Sequence, residues 1–264
     1  MCRHLAYLGP PVTLREVICD PPYGLMRQAW APRQQRHGTV NADGFGVGWY
    51  ADGDPDPARY RRARPLWADP SFADLARVTR TRALLAAARS ATSGTDLGET
   101  AAAPYRSGRW LFSHNGVLDG WPEATAGLAA TLPAERLLAL EARCDSALAW
   151  ALVLRQLDAG RPPAEALAAT VADLDSCGVT GRFNFLLTDG EIIAATAAGD
   201  TLSYSVTAGR TVVASEPDDD GHDWIEVPGR SVLTAIAGAV DVRPLADPNG
   251  WRPRPAPDDG RILH

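Results

Sequence analysis

Cys2 is a nucleophile that can carry its own base. Once an initiator methionine is removed from Met1-Cys2-Arg3-His4, the new N-terminus bears both a thiol and a free α-amine. A thiol attacks as thiolate, and an α-amine with an ordinary pKa of roughly 8 can accept the thiol proton directly or through one water. Aminopeptidases remove methionine ahead of a small residue such as cysteine. The competing reading is a small buried hydrophobe, a common fate of free cysteine.

Other groups along the chain bear on that choice. Arg89-Ser90-Ala91-Thr92-Ser93-Gly94 follows a small-residue strand predicted over 84–88. A guanidinium at a strand end beside hydroxyls suits a carboxylate, although a surface ion pair would use the same residue. In Ser113-His114-Asn115-Gly116, an amide side chain and a backbone N–H in succession can converge on one developing oxyanion; an Asn-Gly hairpin turn is the alternative. Asp145, ahead of a strongly apolar stretch, reads as the N-cap of a buried helix, and its carboxylate could also meet a substrate ammonium.

Composition limits the classes of function. The chain has 264 residues, 45% of them hydrophobic, a formal charge of −6 and a pI near 5.4. This fits a globular soluble protein and argues against binding to nucleic-acid phosphates. The basic residues are all arginine, which excludes a Schiff-base lysine and a P-loop lysine. Cys2, Cys19, Cys144 and Cys177 are too dispersed for a zinc knuckle or a disulfide framework, so no metal is expected. The acidic run Asp218-Asp219-Asp220 reads as a solvated loop. With no signal peptide and no long apolar span, the chain is expected to be cytoplasmic and free of membranes.

The elements that must position these residues follow from pattern. Residues 5–8 form a short apolar strand, ended by Gly9-Pro10-Pro11, which would hold Cys2 rigidly. Thr13 and Glu16 make a capping box for a short helix. Asn41-Ala42-Asp43-Gly44-Phe45-Gly46-Val47-Gly48 leads into a strand whose alternating glycines allow close approach to the backbone, without the spacing of a dinucleotide fingerprint. A helix is predicted over 71–78, a strand over 110–113, and helical structure from Pro133. A further helix over 164–174 precedes strands over 183–188, 192–197, 202–206 and 211–214. No repeat or linker divides the chain. Strands, central helices and further strands fit one layered α+β domain over 2–245, with a Pro- and Asp-rich tail over 246–264.

In order and spacing, Met1-Cys2-Arg3-His4, the Asn41–Gly46 block, Arg89-Ser90-Ala91-Thr92, Ser113-His114-Asn115-Gly116 and Asp145-Ser146 resemble the class II glutamine amidotransferases, which are N-terminal nucleophile hydrolases. The resemblance covers roughly residues 2–245 and implies an αββα sandwich of two antiparallel sheets between helical layers. Ala214-Ser215-Glu216-Pro217, with the Asn-Ala-Asp-Gly and Arg-Ser-Ala-Thr blocks, is most similar to the ergothioneine-pathway branch. That branch hydrolyses the γ-glutamyl amide of γ-glutamyl hercynylcysteine sulfoxide.

The resemblance implies Cys2 as nucleophile, its α-amine as base, and Asn115 with Gly116 as oxyanion hole. Arg89 and Thr92 would hold the glutamyl carboxylate and Asp145 the ammonium. It implies a small-molecule γ-glutamyl substrate and no cofactor. An alternative expectation is a glutaminase subunit delivering ammonia to a partner synthase. Asp145-Ser146 is followed here by Ala147-Leu148, where many glutamine-using members carry an acid. Tyr105, Trp110 and Trp121 are candidates for a cation–π pocket, and His4, His37 and His114 are expected to be structural.

Overall fold

The computed structural model describes residues 2–207 and 209–246. Met1, whose removal would free the Cys2 α-amine, and all of the expected tail except residue 246 lie outside the described residues.

The first strand, β1 (Arg3–Thr13), begins one residue after Cys2. It runs past the expected stop at residue 8, through Gly9-Pro10-Pro11, with a register irregularity between Leu8 and Val12. The prolines are tolerated because one neighbouring strand pairs only with Leu5 to Leu8, so no ladder bond is required of them on that side. In α1 (Leu14–Ile18) the capping box is present, with the Glu16 carboxylate accepting from Thr13 N at 2.6 Å. After the short α2 (Leu25–Gln28) comes the hairpin β2 (Gly44–Trp49) and β3 (Ala58–Arg62). The glycine face of β2 is used for packing: a Cβ at Gly46 would lie 2.3 Å from the Ala103 carbonyl, and one at Gly48 would lie 2.6 Å from Leu111.

Asp69 caps α3 (Pro70–Val78), accepting from Ser71 N and Phe72 N, with proline in the first turn. Then come β4 (Arg80–Arg89), β5 (Tyr105–Ser107) and β6 (Trp110–Leu118). The last is five residues longer than predicted. It carries Asn115 and Gly116 inside a strand, opposite Asn184 and Phe183, so the hairpin-turn alternative is excluded. The expected helical stretch from Pro133 is broken. Beyond α4 (Ala126–Ala129) lies only the short α5 (Ala134–Leu138), before the buried α6 (Asp145–Asp158). Cys144, not Asp145, is the N-cap of α6; Asp145 is its first helical residue.

The chain continues through α7 (Pro163–Ser176), β7 (Gly181–Thr188), β8 (Ile193–Ala197), β9 (Ser203–Thr207) and β10 (Arg210–Ala214). It closes with β11 (Trp224–Glu226), β12 (Ser231–Ile236) and β13 (Ala239–Pro244). The acidic run between β10 and β11 is not wholly solvated: Asp218 is buried, and burial pushes its carboxyl up to about 6.

These strands form two antiparallel sheets, ordered β11-β9-β10-β1-β4-β2-β3 and β13-β12-β8-β7-β6-β5. Alternation along β1 sends Leu5 and Tyr7 toward α1 and α3, and Ala6 and Leu8 toward the second sheet. Both faces are therefore buried, which is why the segment reads as an unbroken apolar run. Leu85, Leu111, Leu186 and Leu233 fill the space between the sheets. On the far side, α6 and α7 cover the second sheet, where Trp150 stacks on Phe112 with ring centroids 5.0 Å apart. Such a pair contributes about 1 kcal/mol beyond its buried area. The result is the expected αββα sandwich.

Candidate active site

The two sheets meet at Cys2. It is half-buried just ahead of β1, and its backbone nitrogen donates to Oδ1 of Asn115 on β6 at 3.1 Å. The contact joins residues 113 positions apart and sets the group that becomes the α-amine beside the amide proposed for the oxyanion. The Cys2 thiol points toward the Ser90 carbonyl at 4.0 Å, at the end of β4. A thiol, an adjacent nitrogen and a side-chain amide thus share one corner, the groups that a nucleophile, its base and an oxyanion donor require.

Gly116 is needed for the shape of that corner. A Cβ there would lie 1.9 Å from the Arg182 carbonyl and 2.5 Å from His114 Nε2, so only glycine fits. Behind Asn115, His114 turns to the other face of β6. Its Nε2 lies 2.8 Å from the Arg182 carbonyl and its Nδ1 3.1 Å from the Ser146 hydroxyl. A carbonyl only accepts, so Nε2 carries the proton and Ser146 donates to Nδ1. Burial lowers the His114 pKa.

The carboxylate and ammonium candidates lie nearby and are joined to each other. Arg89 is buried, and its Nη2 donates to the Asp96 carbonyl at 2.7 Å and to Thr95 Oγ1 at 3.1 Å. Among the described residues its Nη1 has no hydrogen-bond partner and no carboxylate lies within ion-pair distance of this guanidinium. A buried guanidinium with a donor to spare is suited to an incoming carboxylate. Asp96 links this loop to the head of α6: its carboxylate accepts from Arg143 N at 2.6 Å and its own N donates to the Arg143 carbonyl. Two residues on, Asp145 is buried, accepting from Leu118 N at 3.1 Å and Ser146 N at 2.8 Å.

Thr92 supplies its carbonyl to a turn, accepting from Thr95 Oγ1 at 2.7 Å, and its side chain makes no hydrogen bond among the described residues. The Asn41–Gly44 block buttresses this segment from the side, since Asp43 N donates to the Arg89 carbonyl and Asp43 Oδ2 accepts from Ala91 N at 2.8 Å.

A cavity of about 760 Å³ adjoins Arg143 and Cys144 and is lined by Trp121, Leu137, Leu140 and Leu148. Of the aromatic candidates only Trp121 faces it, with the Arg143 guanidinium 5.3 Å from its ring. Tyr105 is fully buried, bonding to the Ala101 carbonyl and lying 3.2 Å from Cys144 Sγ, and Trp110 packs against the core. The three candidate rings therefore do not line one pocket.

The sequence signature of the class II glutamine amidotransferases matches residues 18–220. The chain belongs to that family. It is 41% identical to the gamma-glutamyl-hercynylcysteine sulfoxide hydrolase of Mycolicibacterium smegmatis, over 93% of this chain and 100% of that one. Among solved structures, a glutamine aminotransferase class-II domain protein from Silicibacter pomeroyi superposes with a TM-score of 0.69 at 26% identity, covering 93% of this chain and 100% of that one. The glutamine phosphoribosylpyrophosphate amidotransferase of B. subtilis shares the fold, with a TM-score of 0.65 at 16% identity, over 93% of this chain and 49% of that one. The family is enzymatic and its sandwich is the one found here.

Within this class II amidotransferase the structure brings together Cys2, Asn115 and Gly116, and sets Arg89 and Asp145 on linked segments. His37 is exposed on the surface. Among the described residues no group of His, Cys, Asp or Glu is placed to hold a metal ion, and no helix is long and apolar enough to cross a membrane.

Residues outside the sequence-level candidates also frame the corner. The fully buried Glu216 carboxylate accepts from Arg33 N and Gln34 N at 2.9 and 2.7 Å, and Gln35 Oε1 accepts from Arg3 Nε and Asn41 Nδ2. Glu216 is marked in the sequence only as a member of the Ala214–Pro217 block, with no role attached, and Gln35 belongs to no motif.

His4, two residues after Cys2, is fully buried, with Nδ1 3.1 Å from Ser113 Oγ. Burial, with smaller contributions from His114 and Arg3, brings its pKa down to about 3. The unfolded chain therefore binds a proton near pH 6.5 that the folded chain refuses until about pH 3, so stability is full above pH 6.5 and is lost as pH falls. Denaturant unfolding is expected to show a loss of about 2 kcal/mol from this residue between pH 7 and pH 5. His4→Asn, which keeps a donor for Ser113 without titrating, should flatten that slope; an unchanged slope would exclude His4 as its source.

Proposed function

We propose that this chain hydrolyses the γ-glutamyl amide of γ-glutamyl hercynylcysteine sulfoxide, releasing glutamate and hercynylcysteine sulfoxide in ergothioneine biosynthesis. The observation that carries the reading is the 3.1 Å contact between Cys2 N and Asn115 Oδ1. It occurs in a chain 41% identical, over nearly its whole length, to a hydrolase of that name. Residues 2–245 act as one amidotransferase domain, supported by the burial of Leu245 against the α6 side of the core.

The roles follow from chemistry. With Met1 removed, the α-amine takes the thiol proton, and the Cys2 thiolate attacks the γ-carbonyl carbon. The Asn115 amide and the Gly116 backbone N–H stabilise the oxyanion. As the C–N bond breaks, the α-ammonium returns its proton to the leaving amine, leaving a glutamyl thioester on Cys2. Water, deprotonated by the same amine, attacks the thioester; the sulfur leaves and is reprotonated. Arg89, beside Thr92, binds the glutamyl α-carboxylate and Asp145 the α-ammonium, fixing the γ-carbonyl carbon over the thiol.

The test is glutamate release from the sulfoxide conjugate and from glutamine, using protein shown by mass to lack Met1. Preferential release from the conjugate is expected. Release from glutamine alone, or only with an added synthase, would replace this reading with that of an ammonia-delivering subunit. In the same assay Arg89→Lys, which keeps the charge and loses the planar fork, is expected to raise KM about 30- to 100-fold with kcat within about threefold. An unchanged KM would remove Arg89 from the carboxylate site.

A further inference from the structure

We propose that Ser215 is a positioning residue, whose hydroxyl orients the Asn115 amide and registers it against the strand bearing the nucleophile. The inference rests on the proposed roles of Cys2 and Asn115. Ser215 follows β10 directly and extends its pairing with β1, since Ser215 N donates to the His4 carbonyl at 2.9 Å. The side chain is fully buried.

The Ser215 Oγ accepts from His4 N at 3.0 Å and from Asn115 Nδ2 at 3.4 Å, and donates to the His4 carbonyl at 3.3 Å. A hydroxyl has one proton and two lone pairs, so these bonds use its whole capacity. The consequence falls on Asn115. Ser215 has no second proton to offer an amide oxygen, so it can only receive the NH₂ end. Cys2 N needs an acceptor and takes the Oδ1 end. The amide is thereby locked in one orientation, and its second N–H remains for the oxyanion. Cys2 stands on the first sheet and Asn115 on the second, so Ser215 is a joint through which the nucleophile, the base and the oxyanion donor keep their spacing.

Removing the hydroxyl loosens the amide, and two effects follow. The oxyanion donor is held less well, which lowers turnover without affecting the carboxylate and ammonium contacts. Oδ1 also supports the protonated α-amine less, which lowers the pKa of the base.

In Met1-processed full-length protein, Ser215→Ala is expected to lower kcat about 10- to 100-fold with KM within about threefold, and to move the acidic limb of the kcat–pH profile to lower pH. It should also act through Asn115: in an Asn115→Ala background, single-turnover thioester formation should fall by less than about threefold on adding Ser215→Ala. Ser215→Cys, close in size and a poor acceptor, carries the same expectations at smaller amplitude if the alanine variant does not fold. A folded variant with wild-type kcat and an unmoved limb overturns the proposal, as do losses that multiply independently with Asn115→Ala. A purely structural serine would lower the melting temperature and leave both the limb and the coupling unmoved. Cys2-dependent activity in the wild type keeps the functional reading intact in those cases; a wild type that releases no glutamate fails the reading itself.

Discussion

Cys2→Ala is expected to abolish glutamate release, with a loss of roughly 10⁴-fold or more, while leaving the fold intact. The activity argument is covalent: without sulfur no thioester forms, and no other cysteine is placed to replace it. Cys144 is buried against Tyr105, and Cys19 and Cys177 lie at the ends of helices α1 and α7. The stability argument is local. The thiol is half-buried and its contact is with the Ser90 carbonyl at 4.0 Å, so its removal costs little packing. The two measurements are turnover and melting temperature on the same preparation. A Cys2→Ala protein that still releases glutamate at wild-type rate would end the covalent mechanism. Acylating the α-amine of the wild type separates the base from the thiol: a large loss of activity with the thiol still titratable would assign the amine its role.

Gly116→Ala has the next largest expected effect, and it acts on both stability and rate. The obstacles to a methyl group are the carbonyl oxygen of Arg182 at 1.9 Å and its carbon at 2.7 Å, together with His114 Nε2 at 2.5 Å. Backbone in the middle of a sheet cannot swing aside like the end of a side chain. The β6–β7 pair must part or slip, and the bond between His114 Nε2 and the Arg182 carbonyl is strained or lost. The expected cost is about 3 kcal/mol or more, at the upper end of overpacking. Because Asn115 is the adjoining residue, its amide shifts with the strand, and kcat is expected to fall at least about 10²-fold.

Gly127→Ala is the internal control. It lies in α4 with nothing within 4 Å of the added Cβ, so it should be neutral or stabilising by about 0.5–1 kcal/mol. If Gly116→Ala melts and turns over like the wild type, the close strand packing at Gly116 is refuted.

The grouping of the candidate residues shows how far a linear reading reaches. Cys2 is legible because its chemistry is local: thiol and α-amine sit on one residue, and position two is written in the chain. The capping boundary at Thr13 is legible for the same reason, since an N-cap bonds to a neighbour within three residues. Asn115 and Gly116 are found by type but not by setting. An Asn-Gly pair is compatible with a turn or a strand, and only pairing with Asn184 and Phe183 selects the strand. Tyr105 misleads because aromaticity does not report which way a ring faces; its hydroxyl is taken up by Ala101 and the Cys144 sulfur inside the core.

By itself, then, the sequence singles out Cys2 as the candidate nucleophile and points to the family and a layered α+β domain, because motif chemistry and hydrophobic period are properties of neighbours along the chain; the order of the layers comes only with the family resemblance. Tertiary structure alone decides that Cys2 N meets Asn115 Oδ1, that Arg89 keeps a donor with no partner among the described residues, and that Ser215 bonds to both His4 on β1 and Asn115 on β6. Each of those facts is a hydrogen bond, made or left open, between segments far apart in sequence. Their geometry is set by sheet register and by which buried polar groups find partners, and no local pattern of residues encodes either.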